Sequence, residues 1–407
     1  MLSTSSLRAN PAFLKLDLFC RGMQVDESCY IQRDGGRQIM RTRAGLGSGL
    51  ELILPGELWT NVPVLEAFAR QSPYVLHQED GAYTIRLDRE IVAPVRLSPR
   101  PAWYDARTRS GVPMTRVGTL QGTYLGIYPT RVCDFWISKP TRVNCHFCSV
   151  GLNLGVDDAT DKSIEEVAEV VGAAREQSGI TYVDFNTGHY EGDTYLDMLE
   201  PYVTRLKREG PILVGVQTPP HYDLRRYDRL REIGVNRVSF CFEVFDRDRF
   251  REVCPGKAAT YGLDRYLDAI RYCAELGERG PASEPWVTNG EIIAGLESPE
   301  SSMRAIDWMT SVGAIPTVCV FRPLRGTDYE HEPPPSTEAL VTVFRRLYEA
   351  CMSHGLPIGV APNVHVSLVL LPDECATLSP RRYPWQRAKL AVMRRIMAAR
   401  FGNPLAA

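Results

Sequence analysis

The sequence predicts an α/β protein built around a parallel β/α barrel, full or partial, that follows a small N-terminal α+β segment. Six or seven strand–helix units follow one another after residue 118. Such steady repetition is typical of a parallel sheet covered by helices. No reversal of the strand order is indicated, which favours a barrel over a doubly wound sheet. The first 110 residues lack this regularity.

Residues 1–110 are predicted to form the accessory segment. Turn residues there separate short apolar stretches, at 16–20, 50–54, 83–87 and 91–95. This pattern indicates a small α+β or mostly β unit with one helix near 64–70. Residues 111–365 are predicted to form the barrel, and residues 366–407 a C-terminal helical extension.

Apolar periodicity places the repeated units along the barrel. Strands are predicted at 119–128, 181–186, 212–217, 237–242, 287–294, 317–321 and 357–361. Helices are predicted between them, at 164–176, 194–208, 224–233, 261–276, 302–312 and 337–354. In a β/α barrel the chemistry lies where the strands end and the following loops begin. We therefore expect the functional side chains in those loops.

Composition narrows the class of protein. The chain has 407 residues, of which 44% are hydrophobic and 24% charged, as in ordinary globular proteins. A net charge of -2 makes nucleic acid an unexpected partner. No apolar run reaches the ~18–20 residues of a membrane span, and the first dozen residues do not resemble a secretory signal. The 11 cysteines then favour reduced thiols, a metal or redox site and a cytoplasmic location.

Three cysteines fall in the loop after the first barrel strand: Cys133, Cys145 and Cys148. Three thiolates in one loop can hold three irons of a [4Fe–4S] cluster and leave the fourth iron open to a small molecule. Zinc is an alternative, with His146 as a fourth ligand, although a ring between the paired cysteines is not expected to face the same ion. A thiol redox pair or buried structural thiols are further alternatives.

The residues around the last cysteine carry a family resemblance. Phe147 precedes Cys148, and small residues follow it at 149–151. Here the sequence resembles the radical S-adenosylmethionine (SAM) superfamily, in which such a loop follows the first strand of a β/α barrel. The usual spacing there is Cys-x3-Cys-x2-Cys, whereas eleven residues separate Cys133 from Cys145 and Thr141 stands where a cysteine is usual. The longer spacing indicates an extra excursion of the cluster loop.

The resemblance implies that SAM binds the open iron and contacts the ends of the next strands. After the second strand, residues 186–191 partly match a Gly-Gly-Glu-like stretch that contacts the methionyl amino group in the superfamily. This match implies cofactor-binding roles for Thr187, Gly188 and Glu191. A glycine turn that merely ends the strand is the alternative interpretation.

Three later strands add cofactor candidates. Residues 290–297 resemble the superfamily's Gly-x-Ile-x-Gly-x-x-Glu stretch beside adenine, which implies roles for Ile293 and Gly295. Glu243 ends the fourth strand, where superfamily members often place a polar residue near the ribose or the sulfonium. A carboxylate after a largely apolar strand is otherwise costly. Gln217 ends the third strand as either a ribose or substrate contact or a strand cap.

Further stretches resemble an uncharacterised radical SAM group often found beside nitrilase genes, and more loosely the biotin synthase-like branch. They lie at 101–105, 216–220, 254–258 and 321–327. Lys257 and Arg322 fall within two of them and are expected above the barrel, where a cation can fix a carboxylate or phosphate. With Glu243 they are the predicted catalytic residues. A surface ion pair, or a salt bridge to the SAM carboxylate, is the alternative.

The resemblance implies reductive cleavage of SAM to a 5′-deoxyadenosyl radical, which abstracts hydrogen from a small molecule before rearrangement or bond formation. The substrate is expected to be a biosynthetic intermediate, and an electron donor such as flavodoxin or ferredoxin is implied. Sulfur insertion with an auxiliary cluster is one alternative, for which Cys241 and Cys319 could face inward. A zinc- or thiol-dependent barrel enzyme without SAM is another.

Overall fold

Two β-sheets organise the chain. The structure is a computed structural model that describes residues 7–8, 10–31, 49–138, 140–192, 194–279 and 284–403. The first sheet consists of six strands: β1 (Gln24–Val25), β2 (Leu50–Leu54), β3 (Leu58–Val62), β4 (Tyr74–Glu79), β5 (Ala82–Leu87) and β6 (Glu90–Leu97). Their spatial order is β1-β4-β5-β6-β2-β3, and every pair is antiparallel except β1 with β4.

A helix, α1 (Pro11–Arg21), lies between the first sheet and the rest of the molecule. Its Leu14 and Leu18 belong to the core of the first sheet. Its Leu16 and Phe19 belong to the core of the larger sheet. Spacings of four residues for Leu14 and Leu18 and of three for Leu16 and Phe19 put each pair on its own helix face, so one helix contributes to two cores.

Two stretches of this segment are helical in the structure. The stretch 16–20 is helical, because Asn10 caps α1 by accepting a hydrogen bond from the Phe13 N–H at 3.2 Å and Pro11 begins the first turn. The helix expected near 64–70 is a short 3₁₀ helix at Ala67–Gln71. One more short helix, α2 (Ser28–Ile31), precedes β2.

The second sheet contains seven strands in sequential spatial order. They are β7 (Thr119–Leu120), β8 (Leu125–Ile127), β9 (Tyr182–Asn186), β10 (Leu213–Gln217), β11 (Arg237–Glu243), β12 (Val287–Ala294) and β13 (Ile315–Val320). Strands β8 to β13 are parallel, whereas β7 pairs with β8 as a hairpin. Within the described residues β7 and β13 do not pair with each other. The predicted α/β barrel fold is therefore confirmed in its partial form.

Two predicted strands differ from the structure. The stretch 119–128 is two short strands because the chain reverses at Gly122, whose φ is 83°. The stretch 357–361 forms turns instead of a seventh parallel strand. Gly359 has a φ of 60° there, and Pro357 lacks the N–H that an inner strand needs. The sheet therefore ends at β13 and stays open.

Helices connect the strands of the second sheet and follow its last strand. They are α3 (Asp134–Ile137), α4 (Val150–Asn153), α5 (Ile164–Ser178), α6 (Tyr195–Arg208), α7 (Arg226–Glu232), α8 (Arg247–Val253), α9 (Pro255–Thr260), α10 (Gly262–Glu278), α11 (Pro299–Ser311), α12 (Thr337–Ser353) and α13 (Pro384–Phe401). Serines begin several of them; Ser163 and Glu166, for example, form a reciprocal capping box at α5. Among the described residues, no helix is long and apolar enough to cross a membrane.

Arg322 joins the two sheets. Its guanidinium donates to the side-chain and backbone oxygens of Asn61 at 3.1 and 2.8 Å, and it lies 4.8 Å from the Phe19 ring centroid. Only 3% of the residue is exposed, and burial lowers its pKa to about 10. The expectation of a substrate-binding cation above the barrel is therefore corrected, because the guanidinium is occupied at the contact between the sheets.

Replacing Arg322 with alanine is expected to lower the free energy of unfolding by about 3 kcal/mol, because it removes two charged hydrogen bonds and leaves the oxygens of Asn61 buried. Urea unfolding measures this change. Arg325→Ala, at an exposed position three residues away, is the matched control and should change the stability by less than about 0.5 kcal/mol. Equal stabilities for the two variants would contradict the assigned role.

Candidate functional site

The cysteine loop lies at the carboxyl end of the parallel strands, directly after β8. Cys133 precedes α3, and Cys145 and Cys148 precede α4. All three are free thiols, and all three line one cavity of about 560 Å³. The structure thus brings the three predicted ligands to one place, at the end of the sheet where β/α barrels carry their chemistry.

The loop after β9 holds Cys133. The backbone N–H of His189 donates to Cys133 Sγ at 3.3 Å. Gly188 packs so closely that a Cβ at this position would lie 2.5 Å from the Cβ of Cys133. The His189 ring stacks on Phe135 at 4.4 Å between centroids, and its Nδ1 lies 2.6 Å from the Tyr261 hydroxyl. An N–H aimed at the sulfur favours its thiolate form.

The three thiols differ in how readily they ionise. Burial raises the pKa of Cys133 to about 11 and that of Cys148 to about 12. The pKa of Cys145 is lowered, first because a hydrogen bond with the side chain of Cys254 favours its thiolate, and also because Lys257 lies nearby. Thiolates are the metal-binding form of cysteine.

The donor set fits an iron–sulfur cluster better than a four-coordinate zinc ion. His146, the fourth zinc ligand considered from the sequence, has its Nδ1 3.0 Å from Oδ2 of Asp328 and does not line the cavity. In the part of the chain that the structure describes, no three His, Cys, Asp or Glu side chains already converge on a metal ion.

Alternate residues of β9 to β12 form much of the cavity wall, as expected when one sheet face encloses a space, and consecutive residues of β13 complete it. The strand residues are Tyr182, Asp184, Asn186, Leu213, Gln217, Arg237, Cys241, Glu243, Val287, Asn289, Glu291, Ile293, Ile315, Pro316, Thr317, Val318 and Cys319. The cavity extends from the cysteine loop to the first residues of the strands, where Met393 and Met397 of α13 also line it. The sheet is therefore curled around one chamber.

Two predicted cofactor residues form a polar rim. Thr187 donates its backbone N–H and its hydroxyl to the carbonyl of Gln217, at 3.0 and 3.1 Å. The Gln217 side chain accepts from Asn186 at 2.9 Å and donates to Asp184 at 2.8 Å. Gln217 therefore lines the cavity and joins two neighbouring strands, and its predicted contact with a ribose or substrate stays a prediction.

Glu243 and Lys257 form a buried ion pair at the mouth. Lys257 Nζ lies 2.6 Å from Glu243 Oε1, and the two side chains are only 15% and 11% exposed. The same Nζ donates to the Cys241 carbonyl at 2.6 Å. Glu243 has a φ of 69° at an irregular point in the β11–β12 pairing, and such backbone strain tends to occur at ligand sites. Burial raises the pKa of Glu243, whereas Lys257 acts in the opposite direction.

Ile293 lines the cavity, whereas Glu191 and Gly295 do not. The Glu191 side chain is exposed. Gly295, with a φ of 101°, makes the turn after β12, where a Cβ would lie 2.9 Å from Pro335. The structure therefore corrects both expectations, since Gly295 serves the backbone turn and Glu191 faces solvent. With Arg322 they are the predicted residues that the fold keeps away from the cavity.

Sequence reasoning missed three charged residues in the middle of the cavity. Arg237 donates to Asp184 at 3.1 Å and to Glu291 at 2.7 Å, which joins three cavity-lining strands. Each charge stands within an otherwise apolar strand, a placement that is costly unless the charges are paired. These charges within apolar strands were the signal in the sequence that could have identified the three residues. His189 offered no comparable signal, because only the fold places it beside Cys133.

Alanine at Gly188 is expected to reduce the affinity for iron about tenfold or more, since disturbing groups that support metal ligands typically costs 10–100-fold. The added methyl group would displace Cys133, whose Cβ is 2.5 Å from the new Cβ position. Iron and sulfide content after anaerobic reconstitution measures the effect. Gly172→Ala on α5, where a new Cβ meets nothing within 4 Å, is the control. Normal loading of Gly188→Ala would contradict the assigned packing role.

Comparison with known proteins finds a matching family model and a relative of similar sequence. Residues 141–308 match the family model described as the radical SAM superfamily. The matched segment includes Cys145 and Cys148 but begins after Cys133. The chain is also 30% identical over 271 residues to bacteriochlorophyllide c C-7(1)-hydroxylase of Chlorobaculum limnaeum. That alignment covers 61% of this chain and 65% of the relative, so the chain spans less than two thirds of the relative's length.

Two solved structures are similar in backbone arrangement. Methylornithine synthase aligns with a TM-score of 0.42 and 18% identity, over 56% of this chain and 62% of that one. The [FeFe]-hydrogenase maturase HydG aligns with a TM-score of 0.43 and 14% identity, over 66% of this chain and 54% of that one.

Proposed function

We propose that this chain is a radical SAM enzyme whose [4Fe–4S] cluster is held by Cys133, Cys145 and Cys148, a proposal supported by the match of residues 141–308 to the radical SAM superfamily model. One observation carries the proposal: the three thiols, which are free, open into the same enclosed cavity as the buried Glu243–Lys257 pair. A cluster bound by three thiolates keeps one iron available for the amino and carboxylate groups of SAM. When bound, the cluster and SAM supply a 5′-deoxyadenosyl radical that removes a hydrogen atom from carbon.

The residues around the mouth have distinct roles in this proposal. Thr187 and Gly188 border the cysteine loop and offer backbone oxygens to an amino group. Glu243, held by Lys257 at 2.6 Å, offers a carboxylate oxygen to hydroxyl groups of a ribose. Ile293 gives an apolar surface on which a flat base can lie. Glu243 and Lys257 stay in the proposed catalytic set, whereas Arg322 leaves it.

The rest of the cavity orients a small-molecule substrate and excludes water. Its wall is mainly apolar, and its polar groups are concentrated on the strands. Such a chamber protects a reactive species from stray hydrogen donors. The curated relative is named a hydroxylase, which supports a reaction that begins at a C–H bond. A reduced flavodoxin or ferredoxin is proposed as the electron donor, and a cytoplasmic location suits the eleven free thiols.

Two alternative functions would also use cysteine side chains that line the cavity. Sulfur insertion needs a second cluster as the sulfur donor, and Cys241 and Cys319 both line the cavity, on separate strands. A zinc- or thiol-dependent enzyme would use the cysteine loop without SAM. The engagement of His146 with Asp328 favours the cluster over zinc, because it removes the fourth zinc ligand considered from the sequence.

Anaerobic reconstitution followed by metal analysis, EPR spectroscopy and product analysis tests the proposal. We expect a reduced cluster whose EPR signal changes when SAM is added, and formation of 5′-deoxyadenosine with dithionite as the reductant. Tightly bound zinc without iron would favour the thiol-dependent alternative. A cluster that ignores SAM would overturn the proposed enzyme class.

A further inference from the structure

A band of charged side chains crosses the cavity below its mouth. Asp184, Arg237 and Glu291, here named the belt, lie on β9, β11 and β12, and Arg237 reaches across β10 to Asp184. Their side chains are 7%, 17% and 10% exposed, and all three line the cavity. The proposed cofactor contacts lie nearer the carboxyl ends of the same strands. The belt can therefore contact a bound substrate, because the proposed cofactor contacts lie elsewhere in the cavity.

The hydrogen-bonding capacity of Asp184 is largely used by the protein. Its Oδ1 accepts from the Tyr182 hydroxyl at 2.5 Å and from Arg237 at 3.1 Å. Its Oδ2 accepts from Gln217 at 2.8 Å. Both oxygens of this carboxylate are engaged, so Asp184 serves mainly to hold Arg237 and Gln217 in position.

Two acceptors on β12 remain open. Oε1 of Glu291 accepts from Arg237 at 2.7 Å and from Ser239 at 2.6 Å, whereas Oε2 has no hydrogen bond within the described part of the chain. Asn289 is only 6% exposed. Its amide donates to Thr317 at 3.1 Å, while its buried Oδ1 finds no partner among the described residues. Residues two apart on a strand face the same side, so both acceptors face the cavity.

The net charge of the belt and of the Glu243–Lys257 pair also favours a positively charged ligand in the cavity. The belt carries two carboxylates and one guanidinium, so it has one negative charge in excess. At the mouth, Glu243 and Lys257 neutralise each other at 2.6 Å. A ligand group with positive charge and several N–H donors would balance the belt and satisfy both open acceptors, since buried polar groups are nearly always hydrogen-bonded.

We propose that Glu291 and Asn289 bind the primary ammonium group of the substrate, and that the substrate is otherwise an extended, mainly apolar molecule. The walls beside these residues include Leu213, Val287 and Ile315, which suit a hydrocarbon skeleton. This inference rests on the proposed function in one respect: it takes the reacting carbon of the substrate to lie near Ile293. At about 3.3 Å per residue, that carbon lies about 7–13 Å from the ammonium group.

Isothermal titration of the anaerobically purified protein with three matched probes tests the inference. The probes are n-hexylammonium, n-hexanol and n-heptanoate, which share one n-hexyl chain and differ only in the head group. We expect the ammonium probe to bind at least about tenfold more tightly than the alcohol, and the carboxylate to bind least. Equal affinities for the ammonium and the alcohol would overturn the inference.

Variants locate the binding site. Asn289→Leu leaves the belt intact, and Glu291→Gln removes its excess charge; each is expected to weaken n-hexylammonium binding about tenfold. Glu300→Gln, at an exposed position in the first turn of α11, should leave binding unchanged. If all three variants bind alike, the ammonium group does not bind at the belt. Thermal unfolding of each variant separates loss of binding from loss of fold.

The outcome is separable from the proposed function. Formation of 5′-deoxyadenosine together with no preference for the ammonium probe would overturn the substrate class and leave the enzyme class standing. Selective binding of n-hexylammonium by a protein that never forms 5′-deoxyadenosine would keep the binding site and overturn the enzyme class.

Discussion

Alanine at any one of Cys133, Cys145 or Cys148 is expected to abolish both cluster loading and SAM cleavage. Each thiolate holds one iron, so removing it leaves a second iron without a protein ligand and the cluster unstable. Iron and sulfide analysis should fall from about four of each per chain to background. Product analysis should show no 5′-deoxyadenosine above the level without enzyme.

The control is Cys351→Ala. Cys351 is fully buried in α12 and does not line the cavity, so this variant should load iron normally. Cys133 is the most informative position, because the family match begins at residue 141 and the spacing before Cys145 is long. Full activity of Cys133→Ala would show that another group supplies the first ligand.

Replacing Lys257 with methionine is expected to destabilise the protein by about 3 kcal/mol and to weaken SAM binding at least about tenfold. The variant leaves Glu243 as an uncompensated buried carboxylate, and breaking one partner of a buried ion pair typically costs 3–5 kcal/mol. Urea unfolding gives the stability, and equilibrium dialysis of radiolabelled SAM against the reconstituted protein gives the affinity.

A double variant separates the structural role of the pair from its proposed cofactor role. Glu243→Gln combined with Lys257→Met removes both charges and should recover most of the lost stability. It should not recover SAM binding, because the carboxylate proposed to contact the ribose is also absent. Recovery of both properties would contradict the cofactor role and leave only a structural ion pair.

The repeated apolar pattern predicted most of the parallel sheet. The stretches that became β9 to β13 are each continuous, apolar and bounded by clear turns, so local periodicity was sufficient to find them. It did not identify 16–20 as part of a helix, and it failed at 357–361. The first lacks strand alternation and has a helix cap in front of it, and the second contains Pro357 and Gly359. In these places capping and backbone restrictions outweighed the apolar composition.

The predicted site residues fall into two groups, those that line the cavity and those that do not. Thr187, Gly188, Gln217, Glu243 and Ile293 follow or end strands and line the cavity, because parallel strands all deliver their last residues to one end of the sheet. Glu191, Gly295 and Arg322 lie in equivalent sequence positions but outside the cavity. Where a loop residue points depends on contacts with distant segments, such as Asn61 for Arg322, and these contacts leave no local signal.

By itself the sequence determined the class of fold, the order of its strands and the loop that carries the three thiols, because each of these depends on residues close together in the chain. Only the tertiary structure decided that the barrel is open and that Arg237 lies between Asp184 and Glu291. It also decided that Arg322 joins the two sheets. These features require residues from separate strands or segments to meet, and the pairing of buried charges is settled by which surfaces come into contact on folding.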